Sequence, residues 1–207
     1  MRVIAQREDI RDLILDGVDH LLAKYGYKKM TMEDLAQQVG IGKGTIYLHF
    51  PSKKDVTLSH IDRIVERLLV QLRLIAGSED SPEDKLKRML ITRVLFRFDS
   101  VRNYSQSLND LLASLRGALM GRRETHFLKE ASVLEDVLQE GKRTGQFQFS
   151  DVNPVAQGLI WATNSLLPYS LTTRELGKRK EVEEKASRIA DLLLHGLIQR
   201  EKKQRSL

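Results

Sequence analysis

Thr31 to Lys54 reads TMEDLAQQVGIGKGTIYLHFPSKK, and its caps and apolar spacing predict two short helices, a tight turn between them and the capped start of a third. Thr31 is an N-cap with Asp34 placed to complete a capping box, and Met32, Leu35, Ala36 and Val39 make the apolar side of the first short helix. Gly40 ends it. Gly40-Ile41-Gly42 is then too short for anything but a sharp reversal, and glycine suits whichever position needs positive φ. In the helix that starts at Lys43, Ile46 and Phe50 share one face and must be buried, which leaves Lys43, Gly44, Thr45, Tyr47, Leu48 and His49 on the remaining arc. An ammonium, a residue permitting close approach, a hydroxyl, a phenol and an imidazole suit the phosphates and base edges of a major groove. Pro51 breaks the helix, and Ser52-Lys53-Lys54-Asp55 forms a second capping box with Lys53 and Lys54 at a helix N-terminus, where an anion is favoured. The arrangement is a helix-turn-helix and implies contact with double-stranded DNA.

Residues 7 to 60 resemble the N-terminal DNA-binding domain of the TetR family of bacterial transcriptional regulators. The resemblance is carried by Tyr25-Gly26-Tyr27 at the end of a first helix, Thr31 opening the second, the run Gly40 to Phe50, and Ser52-Lys53-Lys54. It implies that Thr31, Tyr47, His49 and Lys53 contact phosphate and that Lys43, Gly44, Thr45 and Leu48 lie nearest the bases. There are two departures. Gly42 stands where the family commonly has a capping serine, so one capping bond is expected to be missing. Leu48 stands where an aromatic or polar reader is frequent, so contact with a thymine methyl is expected there. The Gly40 to Thr45 run also invites comparison with a phosphate-binding loop, but Gly44 follows Lys43 where Ser or Thr is needed. A dinucleotide fingerprint fails because Thr45 replaces the third glycine and a helix precedes the turn.

A chain of 207 residues is long enough for a small head, expected over 1–55, and a larger regulatory domain over 56–207. There is no cysteine, hence no disulfide and no thiolate metal site. MRVIAQREDI lacks the apolar run of a signal peptide and no stretch nears the roughly 20 apolar residues of a membrane span. A cytoplasmic protein without membrane contact is therefore expected. The formal net charge is +6, but residues 1–60 carry 9 basic against 8 acidic side chains, and most of the excess lies in residues 172–207. The argument for DNA rests on where Lys43, Lys53 and Lys54 stand, not on bulk charge.

The rest of the chain reads as helix throughout, giving an all-α fold of about nine helices. Ile10, Leu13, Ile14, Val18, Leu21 and Leu22 predict a first helix from about Glu8 to Tyr25, and the stripe from Val56 to Leu72 predicts a long one from Lys53 to Ile75. Ser81-Pro82-Glu83-Asp84 starts another, to about Phe98. Further helices are expected over 104–120, 122–142, 152–171 and 180–201, and Pro168 either kinks its helix or ends it early. The last two are apolar on more than one face, which calls for a partner. In the TetR family they pair with their copies, so the resemblance implies a homodimer through Val155, Leu159, Leu166, Ile189, Leu193 and Leu197, reading a palindromic operator. It also implies a pocket for a small-molecule effector. Phe96, Leu112, Trp161, Asn164, Ser165 and Tyr169 are the candidate lining.

An enzyme is disfavoured. His20, His49, His60, His126 and His195 are scattered, no HExxH or ExxH spacing occurs, and no serine has a GxSxG setting, so neither a metal site nor a cofactor is expected. The expected function is a ligand-released repressor, with a non-catalytic helical interaction or scaffold protein as the alternative.

Overall fold

The computed structural model describes residues 2–170 and 177–196, which form eight α-helices and three 3-10 turns. The helices are α1 (Arg2–Lys29), α2 (Met32–Val39), α3 (Lys43–His49), α4 (Lys53–Ala76), α5 (Pro82–Val101), α6 (Leu108–Arg143), α7 (Val152–Thr163) and α8 (Arg179–His195). The 3-10 turns span Arg102–Ser107, Asn164–Leu166 and Pro168–Ser170. No strand occurs among the described residues, and no described helix is long and apolar enough to cross a membrane.

The local signals around the helix-turn-helix act as their chemistry requires. Thr31 Oγ1 accepts from the Asp34 N–H at 3.0 Å while Asp34 Oδ2 accepts from the Thr31 N–H at 2.9 Å, so the capping box closes in both directions. Gly40 takes the left-handed conformation (φ 74°) that ends α2. Ser52 and Ser81 cap α4 and α5 through the N–H groups of Asp55 and Asp84. Gly26 (φ 71°) breaks the helical path inside α1, and a Cβ there would lie 2.8 Å from Ser107 Cβ. Glycine is thus required both by the backbone and by the close approach of the Arg102–Ser107 turn.

Two expected elements differ. The helices anticipated over 104–120 and 122–142 are one, α6, of 36 residues and about 54 Å at 1.5 Å per residue. Gly121 does not interrupt it, because a helical glycine costs only about 1 kcal/mol and packing along α4 and α5 outweighs that. The helix expected over 152–171 stops at Thr163: Leu167 is extended (ψ 146°), as the residue before a proline prefers, and Pro168 has no N–H to continue the ladder. Helix α8 ends at Gly196, and the remainder of the helix anticipated to residue 201 lies outside the described residues.

Apolar packing forms two clusters. One joins the head, through Ile14, Leu35, Ile46 and Phe50, to Phe98, Tyr104 and Leu108. The other fills the bundle with Leu68, Leu72, Leu90, Leu134 and Ile160. Burial therefore runs without interruption across the expected 55/56 boundary, and the head is mechanically continuous with the turn at Arg102–Ser107 and the start of α6.

Candidate nucleic-acid interface and internal cavity

Helix α3 is anchored by its buried face and presents the other. Ile46 and Phe50 are buried, while Leu48 is 83% and Tyr47 44% exposed. Lys43 and Gly44 are exposed beside them, and Thr45 and His49 are half-buried. Gly42 occupies the N-cap with extended backbone and no side-chain capping bond. At the other end the Arg11 guanidinium stacks 4.6 Å from the Phe50 ring centroid, tying α1 to the end of α3. Lys43 Nζ lies 3.1 Å from Glu33 Oε2, and this hydrogen bond raises the lysine above its usual pKa. A phosphate approaching Lys43 competes with that carboxylate.

The two lysines of the α4 N-terminus part company. Lys54 is exposed. Lys53 is half-buried, and its ammonium donates to the carbonyls of Tyr27, Lys28 and Met30 at 3.1, 3.3 and 3.2 Å while lying 4.8 Å from the Tyr27 ring centroid. It thus satisfies the terminal carbonyls of α1, which have no partner within the helix. Sequence spacing put both lysines at a helix start but could not reveal that the carbonyls at the end of α1 pass beneath one of them.

A cavity of about 450 Å³ opens between α4, α5 and α6. Its buried end includes Val65, Tyr104, Leu108 and Leu111, and Arg97, Arg116, Arg123 and His126 contribute to its wall. Of the sequence candidates whose side chains are described, only Leu112 lines it. Phe96 packs against the bundle core. Trp161 is 62% exposed on the outer side of α7, where with Asn164 it borders a shallower groove of about 370 Å³, and Ser165 is exposed. The Tyr169 side chain lies outside the described part. The early end of α7 accounts for Ser165, which leaves the helix after Thr163, whereas Trp161 lies within α7 on its exposed face.

The wall holds a buried ionic cluster that sequence reasoning missed. Arg93, with no exposed surface, donates to Glu130 Oε2 (2.5 Å), Thr163 Oγ1 (2.7 Å) and Asn164 Oδ1 (2.7 Å). Arg97 adds bonds to both Glu130 oxygens at 3.0 and 2.5 Å. Burial pushes the Glu130 carboxyl up, but the charges and hydrogen bonds of Arg97 and Arg93 more than reverse this and hold it below the usual range. The only sequence signal was two arginines four apart in the apolar run ITRVLFRF.

Candidate interface residues divide as well. Leu159, at 7% exposure, belongs to the monomer's own core and is withdrawn from the outer face on which it was expected. Val155, Leu166 and Ile189 are half-buried, Leu193 is exposed beside Leu192, and Leu197 lies outside the described residues.

Residues 14–59 match the family model described as bacterial regulatory proteins, tetR family. Nucleoid occlusion factor SlmA of Shewanella woodyi is 33% identical over 142 residues, which cover 64% of this chain and 70% of that protein. The chain belongs to the TetR family. SlmA of Shewanella oneidensis is 31% identical over 133 residues, 63% of this chain and 66% of that protein. Among solved structures, a transcriptional regulator from Cytophaga hutchinsonii superposes with a TM-score of 0.73 at 22% identity, covering 88% of this chain and 95% of that one. The transcriptional regulator FadR of Bacillus subtilis, solved with stearoyl-CoA, gives 0.68 at 17% identity over 90% and 98%. These likenesses establish the TetR fold. The protein is a DNA-binding transcriptional regulator of that family.

Proposed function

We propose that this TetR-family chain is a homodimeric repressor that occupies a palindromic operator and leaves it when a small molecule fills the cavity beside α6. The observation that carries the DNA half is the outward face of α3, with Leu48 and Tyr47 exposed on a helix whose opposite face is locked in the core. In this reading Lys43, Gly44, Thr45 and Leu48 meet base edges, and Thr31, Tyr47, His49, Lys53 and Lys54 meet phosphates. Tyr47 and Lys54 are free to do so as they stand, whereas Lys53 would exchange or share its carbonyl partners. The dimer is supported by exposed apolar side chains on the last two helices, Trp161, Leu192 and Leu193, next to Leu166 and Ile189. Two copies of α3 held about 34–36 Å apart would read half-sites one helical turn apart. The effector is supported by the cavity's volume, which falls within the roughly 300–1,000 Å³ of small-molecule sites, and by the acyl-CoA held by the structurally similar FadR.

The name of the SlmA relatives supports a second reading, in which the same DNA binding serves nucleoid occlusion. Selection of genomic fragments by the purified protein, followed by footprinting and light scattering, separates the two. A protected palindrome at a promoter, bound by a dimer, is the expected result. Sites unrelated to promoters would favour the second reading, and a folded chain with no preferred site would refute operator recognition.

A further inference from the structure

The buried end of the cavity carries a hydroxyl with nothing to bond. Tyr104 is 3% exposed and lines the cavity, yet its phenol makes no hydrogen bond among the described residues. The ring nitrogens of His60 are the only side-chain polar atoms among the described residues that are both sealed and unpartnered, so the Tyr104 oxygen is not sealed, and the open space beside this side chain is the cavity. The other polar residues of the described wall are either engaged or at solvent. Arg97 makes two bonds to Glu130, His126 meets Asp62 through Nε2 at 3.0 Å, and Arg123 lies 5.0 Å from the Phe127 ring centroid. Asn109, Arg116 and Ser170 are exposed. Burial, with a smaller push from the charge of Asp19, holds the Tyr104 phenol above its ordinary pKa, so it keeps its proton and offers a donor. A hydroxyl withdrawn from bulk water and left unpaired is costly, and a site gains from a ligand that pairs it. Water serves poorly here, because Val65, Leu108 and Leu111 at the same end offer none of the further polar side-chain atoms that hold a buried water.

We propose that the effector is an uncharged, mostly apolar organic molecule with a carbonyl oxygen at its inner end, and that this oxygen accepts a hydrogen bond from Tyr104. The assignment rests on the reading of the cavity as an effector site. An oxygen that carries lone pairs and no hydrogen matches a lone donor, and the apolar body displaces water from Val65, Leu108 and Leu111. A hydrocarbon of the same shape leaves the phenol unpaired. A carboxylate brings a full charge to an end where a single phenol cannot satisfy its two oxygens, and its desolvation goes uncompensated. Tyr104 also belongs to the Arg102–Ser107 turn, whose Ser107 packs against Gly26 of α1. A bond at Tyr104 thus bears on a segment that touches both the cavity and the DNA-binding head.

The test uses the full chain, its Tyr104→Phe variant and three probes of nearly one shape: benzylacetone, butylbenzene and hydrocinnamate. Calorimetric titration is expected to give one site per chain for the ketone, and the ratio of ketone to butylbenzene affinity should fall about threefold to tenfold on Tyr104→Phe. Comparing both ligands in both proteins cancels their different transfer from water, and a simply unfolded variant binds neither. Hydrocinnamate should bind about tenfold or more weakly than the ketone. The infrared carbonyl stretch of isotope-labelled benzylacetone should lie lower in the parent than in the variant, because a hydrogen bond weakens the C=O bond. Tyr104→Phe should not lower the urea midpoint of the free protein, since the hydroxyl it removes is unpaired. An unchanged affinity ratio, an unshifted carbonyl stretch, a lower urea midpoint or preference for the carboxylate would overturn the assignment while leaving the cavity a ligand site. No binding by any probe would overturn both. Fluorescence anisotropy of footprinted DNA is read in parallel, and ketone binding with the expected ratio but no release of DNA would refute the effector role while leaving the hydrogen bond intact.

Discussion

His60 should make this protein sensitive to mild acid. It lies on α4 against α1 and the Arg102–Ser107 turn, 3% exposed, with both ring nitrogens lacking a hydrogen-bond partner. Asp19 Oδ1 is 3.6 Å from Nε2, Tyr104 is edge-on at 6.5 Å between centroids, and Arg63 and Arg67 supply positive charge. Burial, reinforced by Arg63, lowers its pKa to about 4 from an ordinary 6.5. The unfolded chain therefore takes up the proton first, so the neutral imidazole contributes full stability above about pH 6.5 and loses it as pH falls toward 4. At about pH 5 the unfolded histidine is almost wholly protonated and the folded one hardly at all, a difference of roughly 2 kcal/mol. Asp19 opposes this, because burial, partly offset by Arg63, raises its carboxyl and makes its protonation favour the fold. A His60→Leu variant isolates the imidazole. Urea unfolding of both proteins at about pH 7.5 and about pH 5 should show the drop on acidification shrinking by about 2 kcal/mol in the variant. Staying at or above about pH 5 keeps the paired Glu130 ionised. Equal losses in the two proteins would refute the reasoning.

Glu130→Gln leaves Arg93 and Arg97 buried without their shared carboxylate and should destabilise the fold by about 3–5 kcal/mol; a urea midpoint close to the parent's would show that the cluster is not held by this charge. Gly42→Ser supplies the absent cap of α3, where the nearest atom to a new Cβ is Thr45 Oγ1 at 3.7 Å, and should stabilise the head by a few tenths of a kcal/mol, read as slower amide exchange in α3. Lys53→Met should lower thermal stability by removing three carbonyl contacts, whereas Lys54→Met should leave stability unchanged and reduce the salt slope of DNA binding by about one. The opposite pattern in calorimetry and anisotropy would exchange the two roles. Thr45→Ala should alter preference at particular base positions rather than weaken all sequences alike, as a binding-site selection would reveal.

The helix-turn-helix was legible because its determinants are local. Thr31 and Asp34, Gly40, Pro51, and Ser52 and Asp55 each act within a few residues on the backbone they belong to, and the burial of Ile46 and Phe50 follows from helical period alone. The same kind of signal placed α4 and the start of α5. It failed where the outcome depended on neighbours: α6 runs through Gly121 because two packed helices support it, and α7 ends when the backbone before Pro168 turns extended. The cavity and its charges belong wholly to the tertiary level. Arg93 meets Glu130 across 37 residues and Thr163 across 70, and His60 meets Tyr104 on a different element. No periodicity reports such pairs, since a helix face states only that a side chain is buried, and the packing of helices decides against what.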